Sequence, residues 1–305
     1  MMMSQSASKA EGSSSIASAI KMLTIFNNDM QRGLQAASSA DDGSPLLPYT
    51  TISYAQTIDG TIAPLLRTRL DISSKCSFQL LHSLRALHDA VLIGVNTLVF
   101  DKPRLTVRDP LPAADSSDST NADMSAPLIT SERQPRPVVI DSQLKFLEIP
   151  NSDIFLLDPI ICTCILSGDE RYALAERKLA ELGGGSLLTC KQLEDPLSSS
   201  SGSGGHCDLR DAFMRLRQGF GLASILVEGG AGIIQSVLEA QLATRIVVTI
   251  KPSFFGGYRV LTAQLSSEVA IDCPVVSSIG GDIVVQGNLV KSTGSGCERR
   301  VVDFL

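Results

Sequence analysis

Short apolar runs bounded by turn residues constrain this chain more than any other feature. Ala90–Val95, Pro137–Ile140, Ile154–Leu157 and Ile161–Leu166 are brief, rich in Val, Ile and Leu, and lack polar alternation. Runs of that length suit strands covered on both faces, as in a parallel sheet. Segments of helical period lie among them. Ser73 or Ser74 can cap a helix running to about His88, with Phe78, Leu81, Leu84 and Leu87 on one side. A second spans about Glu170–Leu182 and stops at Gly183-Gly184-Gly185, and a third runs from near Asp208 to Gly219. Tyr49–Ala55, Ser224–Val227 and Arg245–Ile250 read as strands and Ala231–Ala240 as a helix. Val275–Ser278 and Ile283–Val290 read as a hairpin around Gly280-Gly281, with a last strand near Arg300–Phe304. The order predicts an α/β fold: a mostly parallel sheet, helices on both faces, and antiparallel C-terminal strands at one edge.

The 305 residues suffice for one large domain, placed at 45–305. Residues 1–44 are rich in Ser, Ala and Met and read as a flexible extension with one short helix around Ile16–Phe26. They lack a secretory signal's basic start and apolar core, and Glu11, Asp29, Asp41 and Asp42 dilute any mitochondrial presequence. Leu111–Arg133 and Asp195–Gly205 are polar, low in complexity and read as disordered insertions within the domain. A net charge of −6 argues against duplex nucleic acid as a partner, and no apolar run is long enough for a bilayer. The seven cysteines form no C-x-x-C pair and the three histidines have no paired ligand spacing. This pattern fits reduced thiols in a cytoplasmic protein and gives no reason to expect a metal.

Three constellations carry chemistry. Val227-Glu228-Gly229-Gly230-Ala231-Gly232 follows a strand and opens a helix, where backbone N–H groups and the helix dipole can receive a pyrophosphate. It falls short of the full dinucleotide fingerprint, and a tight structural turn explains it equally well. Thr97 and Asp101 are four apart after a strand, so one helical turn puts both on one face, suited to a ribose or a nicotinamide amide. A turn cap and a surface pair of Asp101 with Lys102 or Arg104 account for the same spacing. Arg85, Arg104 and Arg108 have the planar fork that grips phosphate. Asp59-Gly60 is either a turn signal or a carboxylate at a strand's carboxyl end, where open α/β sheets bind ligands.

Taken together and in order, SYAQTIDGTIA, LRALHDAVLIGVNTLVFDKPRLTVR, PRPVVID, ILVEGGAGIIQSVL and ATRIVVTIKPSFFGG resemble the riboflavin-pathway reductase family. The resemblance runs from Tyr49 towards the C-terminus. It implies a dihydrofolate-reductase-like fold, a homodimer, and NADPH-dependent reduction of a ribosylaminopyrimidine phosphate to its ribityl product. Residue by residue, it implies that Ala55, Thr97, Asp101 and the Gly229-Gly230-Ala231-Gly232 turn hold NADPH. It likewise implies that Arg85, Leu105, Arg108 and Glu228 line the substrate, with Arg69 in a loosely matched stretch. Asp59 and Glu228 are the candidate catalytic carboxylates for stabilising a cationic imine. Bifunctional relatives carry a deaminase with H-x-E and P-C-x-x-C, and neither motif occurs here. The alternatives are a pterin reductase of the dihydrofolate type and a non-catalytic relative of the same fold.

Overall fold

Alternate residues of the short apolar runs turn to opposite faces, and each face has its own core. Ala90 and Leu92 pack in one cluster, Val91 and Ile93 in the other, and Val138 and Val139 divide in the same way. Period-two alternation with both sides apolar is the signature of a sheet covered twice. The computed structural model describes residues 2–39, 46–65, 71–112, 132–150, 152–193 and 205–291.

In chain order the first elements are α1 (Met2–Ser39), β1 (Tyr49–Thr57), β2 (Thr61–Ala63), α2 (Lys75–Leu87), β3 (Ala90–Gly94) and α3 (Val95–Asp101). β4 (Arg136–Ile140), β5 (Ile160–Thr163), α4 (Glu170–Leu182), β6 (Ser186–Thr189), β7 (Gln192–Leu193) and β8 (His206–Cys207) follow. The last are α5 (Leu209–Phe220), β9 (Ser224–Gly229), α6 (Ala231–Glu239), β10 (Arg245–Lys251), β11 (Tyr258–Arg259), β12 (Val269–Ile279) and β13 (Asp282–Lys291). Nine strands form one sheet in the order β12-β13-β10-β1-β9-β3-β4-β5-β6. The strands from β10 to β6 pair in parallel, while β13 and β12 are antiparallel at one edge. The fold class read from the sequence is the one observed. α5 and α6 cover one face; α1, α2 and α4 contribute to the core on the other.

Local chemistry sets the helix ends. Asp169 caps α4 by accepting from Arg171 N at 2.7 Å, and Gly183 ends it at φ +113°, a conformation that favours glycine. Asp208 caps α5 through Arg210 N and Asp211 N. Ile154–Leu157, expected as a strand, lies instead in a 3₁₀ helix at Asp153–Leu157 that buries Ile154 and Phe155. Four apolar residues carry too little periodicity to separate the two states. The six described cysteines are free thiols, three of them buried. Among the described residues no helix is long and apolar enough to cross a membrane.

The N-terminal segment departs most from expectation. In place of a flexible extension over 1–44, residues Met2–Ser39 form one helix. Ala19, Met22, Leu23, Phe26 and Met30 are buried in the main core, against α2 and the sheet. The Arg245 guanidinium, 1 % exposed, donates to Asp29 Oδ2 at 2.6 Å and Asn288 Oδ1 at 3.0 Å, and lies 5.4 Å from the centre of the Phe26 ring. Buried Gln286 donates to Met22 O at 2.8 Å. α1 packs on α2, whose burial differs from the expected side: of Phe78, Leu81, Leu84 and Leu87 only Leu84 is fully buried, while Leu80, Ser83 and Ala86 are buried as well. Leu111, at the start of the first expected insertion, is core, and its N–H donates to Ser83 Oγ at 2.8 Å. Residues 113–131 and 195–204 of the expected insertions, and the expected strand at Arg300–Phe304, lie outside the described residues.

Asp29→Ala would leave the Arg245 charge without its carboxylate. Loss of one partner of a buried pair costs about 3 kcal/mol, so the urea midpoint should fall well below wild type. An unchanged midpoint would mean that α1 contributes little to the fold.

His88 makes stability depend on pH. Its ring is fully buried: Nδ1–H donates to Leu84 O at 2.7 Å, so Nε2 accepts from Thr51 Oγ1 at 2.9 Å. Burial pushes its pKa down from 6.5 to about 4. Below pH 6.5 the unfolded chain takes up a proton that the folded chain refuses, so this stability is full above 6.5 and drains away as pH falls towards 4. The loss is roughly 3 kcal/mol at its limit. The melting temperature should therefore drop between pH 7 and pH 4.5, and His88→Gln should flatten that slope; equal slopes in both proteins would refute the assignment.

Candidate functional site

β9 lies between β1 and β3 in the sheet, so the three sequence constellations end side by side at the carboxyl ends of parallel strands. This is where open α/β sheets take ligands. A cleft of about 530 Å³ opens there, lined by Ala55 from β1, Thr97 and Asp101 from α3, and Glu228, Gly229, Gly230 and Ala231 from the β9–α6 turn. Ser53, Thr249, Tyr258, Arg259 and Thr262 add to its polar lining, while Ile62, Leu81 and Ile234 supply apolar wall.

Thr97 Oγ1 accepts the Gly230 N–H at 2.9 Å and locks α3 to the glycine turn. A Cβ on Gly230 would come within 3.0 Å of that oxygen. Gly94 is needed for a related reason, since a Cβ there would meet Ile233 Cγ1 at 2.7 Å where β3 approaches α6. Asn96, Thr97, Gly230 and Ala231 also border a second cleft of about 510 Å³. Gly232, Ser142, Gln143, Lys145 and His206 line that second cleft. The two clefts thus share a wall and lie on either side of the glycine turn. Asp101, at the mouth, has its pKa raised by burial. Asp141, also raised by burial, accepts from Lys145 N and Phe146 N, each at 2.8 Å, and shapes the turn at the second cleft.

Beneath the first cleft lies a buried ion pair. Arg85 Nε donates to Glu228 Oε1 at 2.6 Å and Nη2 to Glu228 Oε2 at 2.7 Å, while Nη1 donates to Thr106 O at 2.9 Å. The two side chains are 8 % and 10 % exposed. Burial opposes the arginine's charge, but Glu228 more than offsets it and holds the pKa above its usual value. In this structure the Arg85 fork faces a protein carboxylate, the partner beside which the expected substrate contact would have to be made. The sequence could not reveal this partner, which stands 143 positions away.

Other expected site residues also sit differently. Asp59 does not line either cleft. Its carboxylate accepts from the Thr57 hydroxyl, from Thr61 Oγ1 at 2.9 Å, from Phe255 N at 3.3 Å and from Gly256 N at 2.7 Å. The Thr57 hydrogen bond leads the effects that hold its pKa well below the ordinary carboxylate range. This enclosure fits the turn reading of Asp59-Gly60. Leu105 has φ +55°, is 1 % exposed and lines neither cleft. Arg108 is exposed, lines neither cleft, and stacks 6.0 Å from the Phe78 ring centre, while its N–H donates to His82 Nδ1 at 3.0 Å. Arg69 lies outside the described residues. Sequence reasoning missed Tyr258, Arg259, Lys145 and His206. The glycine pair before Tyr258 was the one local signal, and it marks a turn without naming a ligand.

Comparison with known proteins matches this arrangement. Residues 48–285 fit the family model of the RibD C-terminal domain. The 2,5-diamino-6-ribosylamino-4(3H)-pyrimidinone 5′-phosphate reductase of Kluyveromyces lactis is 28 % identical, covering 72 % of this chain and 77 % of its own. The enzyme of the same name from Eremothecium gossypii is 30 % identical, covering 70 % and 78 %. Among solved structures, the riboflavin biosynthesis reductase Rib7 of Saccharomyces cerevisiae aligns with a TM-score of 0.58 at 20 % identity, over 87 % of this chain and 99 % of its own. RibD of Acinetobacter baumannii aligns at 0.57 and 18 % identity, over 80 % and 58 %. These two likenesses concern the fold. With the family model spanning the sheet, the glycine turn and the Arg85–Glu228 pair, the chain belongs to the RibD C-terminal domain family.

Proposed function

We propose that this protein is an NADPH-dependent reductase that converts the ribosyl group of 2,5-diamino-6-ribosylamino-4(3H)-pyrimidinone 5′-phosphate to a ribityl chain. The observation that carries this reading is the pair of adjoining clefts on either side of the Thr97–Gly230 contact. Membership of the family and the names of the yeast relatives support the substrate.

Together the two clefts fit an elongated dinucleotide. Gly230 N–H is taken by Thr97, but Ala231 and Gly232 stand in the first turn of α6, where N–H groups have no intrahelical acceptor and face anions well. Lys145 and His206 beyond the turn are placed for a terminal 2′-phosphate. Ala55, Thr97 and Asp101 on the other side would orient the nicotinamide end. NADPH, when bound, supplies the hydride that reduces C1′ of the ring-opened sugar, an imine in that form. The chain's own work is to align the reactants, to exclude water with Ile62, Leu81 and Ile234, and to stabilise positive charge at the imine nitrogen. Glu228 is one of two carboxylates lining the cleft, with Asp101, and the Arg85 fork holds its orientation.

The same reading makes the protein a cytoplasmic homodimer with no nucleic-acid or membrane partner. Exposed Val276, Ile283 and Val290 on the edge hairpin support an interface between copies.

The direct test is NADPH oxidation with the ribosylaminopyrimidine phosphate, with dihydrofolate, and with neither. Turnover should require the first; turnover with dihydrofolate alone would make the protein a pterin reductase, and none at all a binding protein. Glu228→Gln keeps the shape and removes the charge. Its kcat should fall more than substrate affinity, since the interaction grows as charge develops. A loss confined to KM would reduce Glu228 to a binding group.

Gly230→Val places a branched side chain against Thr97 Oγ1 between the two clefts. NADPH affinity should fall at least tenfold, about 1.4 kcal/mol, in a protein that still folds. Unchanged NADPH binding by fluorescence titration would take the turn out of the cofactor site.

A further inference from the structure

We propose that Arg259 is the anion anchor of the principal cleft, where it binds a phosphate group of the bound ligands. The inference rests on the reading of the cleft as a site for phosphorylated substrate and cofactor. The charge inventory motivates it. Asp101 and Glu228 are the acidic residues lining the cleft, and Arg259 is the one basic residue among the described residues that line it. Of the arginines expected to hold phosphate, Arg85 donates to Glu228 and Thr106, and Arg108 lines neither cleft. Without Arg259, a phosphate entering here would meet two carboxylates and no opposing cation from the lining.

The backbone that carries Arg259 is fixed on both sides. Before it, the Asp59 carboxylate accepts from Phe255 N and Gly256 N, and Ile58 N donates to Ser253 O at 2.9 Å. Gly257 passes so close to β2 that a Cβ would lie 2.3 Å from Ala63 O, an approach only glycine permits. β11 then pairs with β2, matching Tyr258 with Ala63 and Arg259 with Thr61. After it, Val260 is buried, and Thr262 ties the chain to α6 by donating from N and Oγ1 to Gln235 Oε1 at 3.0 and 2.9 Å. Asp59 thus serves the cleft at one remove, by holding the strap on which Arg259 stands. The Arg259 side chain itself is exposed and forms no ion pair among the described residues. A guanidinium on a fixed backbone, free of carboxylates and facing a cleft, has the geometry for bidentate binding of phosphate oxygens.

Two sources share this chemistry, the substrate's 5′-phosphate and the cofactor's pyrophosphate. Full-length wild type, Arg259→Ala and Arg259→Lys would be compared in NADPH titrations and in turnover of the phosphorylated and dephosphorylated pyrimidines. In the Ala variant, a tenfold or greater rise in KM for the phosphorylated substrate alone, with NADPH affinity intact, assigns Arg259 to the substrate. A similar loss of NADPH affinity, with the preference for phosphorylated over dephosphorylated substrate intact, assigns it to the cofactor. Either result supports the anchor, and the Lys variant should recover part of the loss because it keeps the charge. If neither quantity moves, the proposal is overturned. Titration with inorganic pyrophosphate separates this inference from the function it rests on. A wild type that turns over no pyrimidine but binds pyrophosphate more than tenfold better than Arg259→Ala keeps the anion site and loses the proposed function. Equal pyrophosphate binding by the two proteins removes the anion site whatever the activity.

Discussion

The buried pair between Arg85 and Glu228 organises the active end of the sheet. Two charges, each about nine-tenths removed from water, cost several kcal/mol apiece to desolvate, and only near-ideal geometry repays this. Two parallel contacts of 2.6 and 2.7 Å supply that geometry, and a third donor on Thr106 O satisfies the remaining guanidinium nitrogen. The pair joins the last turn of α2, the end of β9 and the segment after α3. Shifting any of these would strand a charge in a low-dielectric interior, so the three keep a common register. The glycine turn follows Glu228 directly, and its position is inherited from the pair.

This coupling separates what the sequence could disclose from what it could not. Elements set by local chemistry were legible: α4 from its period, its Asp169 cap and its Gly183 stop, and β3 from an apolar run ending at a glycine. Thr97 and Asp101 were legible as a pair because helical spacing alone puts them on one face, and they line one cleft. Arg85 was recognisable as important but its contact with Glu228 was not, since that partner is remote in sequence and a fork onto carboxylate uses the same atoms as a fork onto phosphate. Asp59 posed a similar choice between turn and catalyst, and its four donors are ones that no spacing announces. Only a short helix around Ile16–Phe26 was legible of α1, because its Ser- and Ala-rich sequence has little intrinsic amphipathicity. Its anchors Asp29 and Phe26 gain meaning only from Arg245 and the core they reach.

Helix α1 also bears on the site, though it touches no part of either cleft. It packs on α2, which carries Arg85, and on the edge strands through Gln286 and Arg245. Covering α2 on a second side limits its freedom to roll on the sheet, which would pull the guanidinium from Glu228. The family match begins at residue 48, so this brace lies outside the matched region.

The two clefts show how a neutral floor and charged ends can coexist. Glu228 is balanced by Arg85, Asp59 is enclosed by donors, and Asp141 spends its oxygens on backbone N–H groups. Lys145 and Arg259, in contrast, stand on exposed positions at opposite ends, with the α6 amides between them. A dinucleotide with a 2′-phosphate near one end and a pyrophosphate at its middle would meet positive potential at both groups. Charges fixed before the ligand arrives need no reorganisation when it binds, which is what electrostatic preorganisation requires of a site that handles a cationic imine. The buried pairs keep the carboxylates in place, and the exposed cations face the ligand.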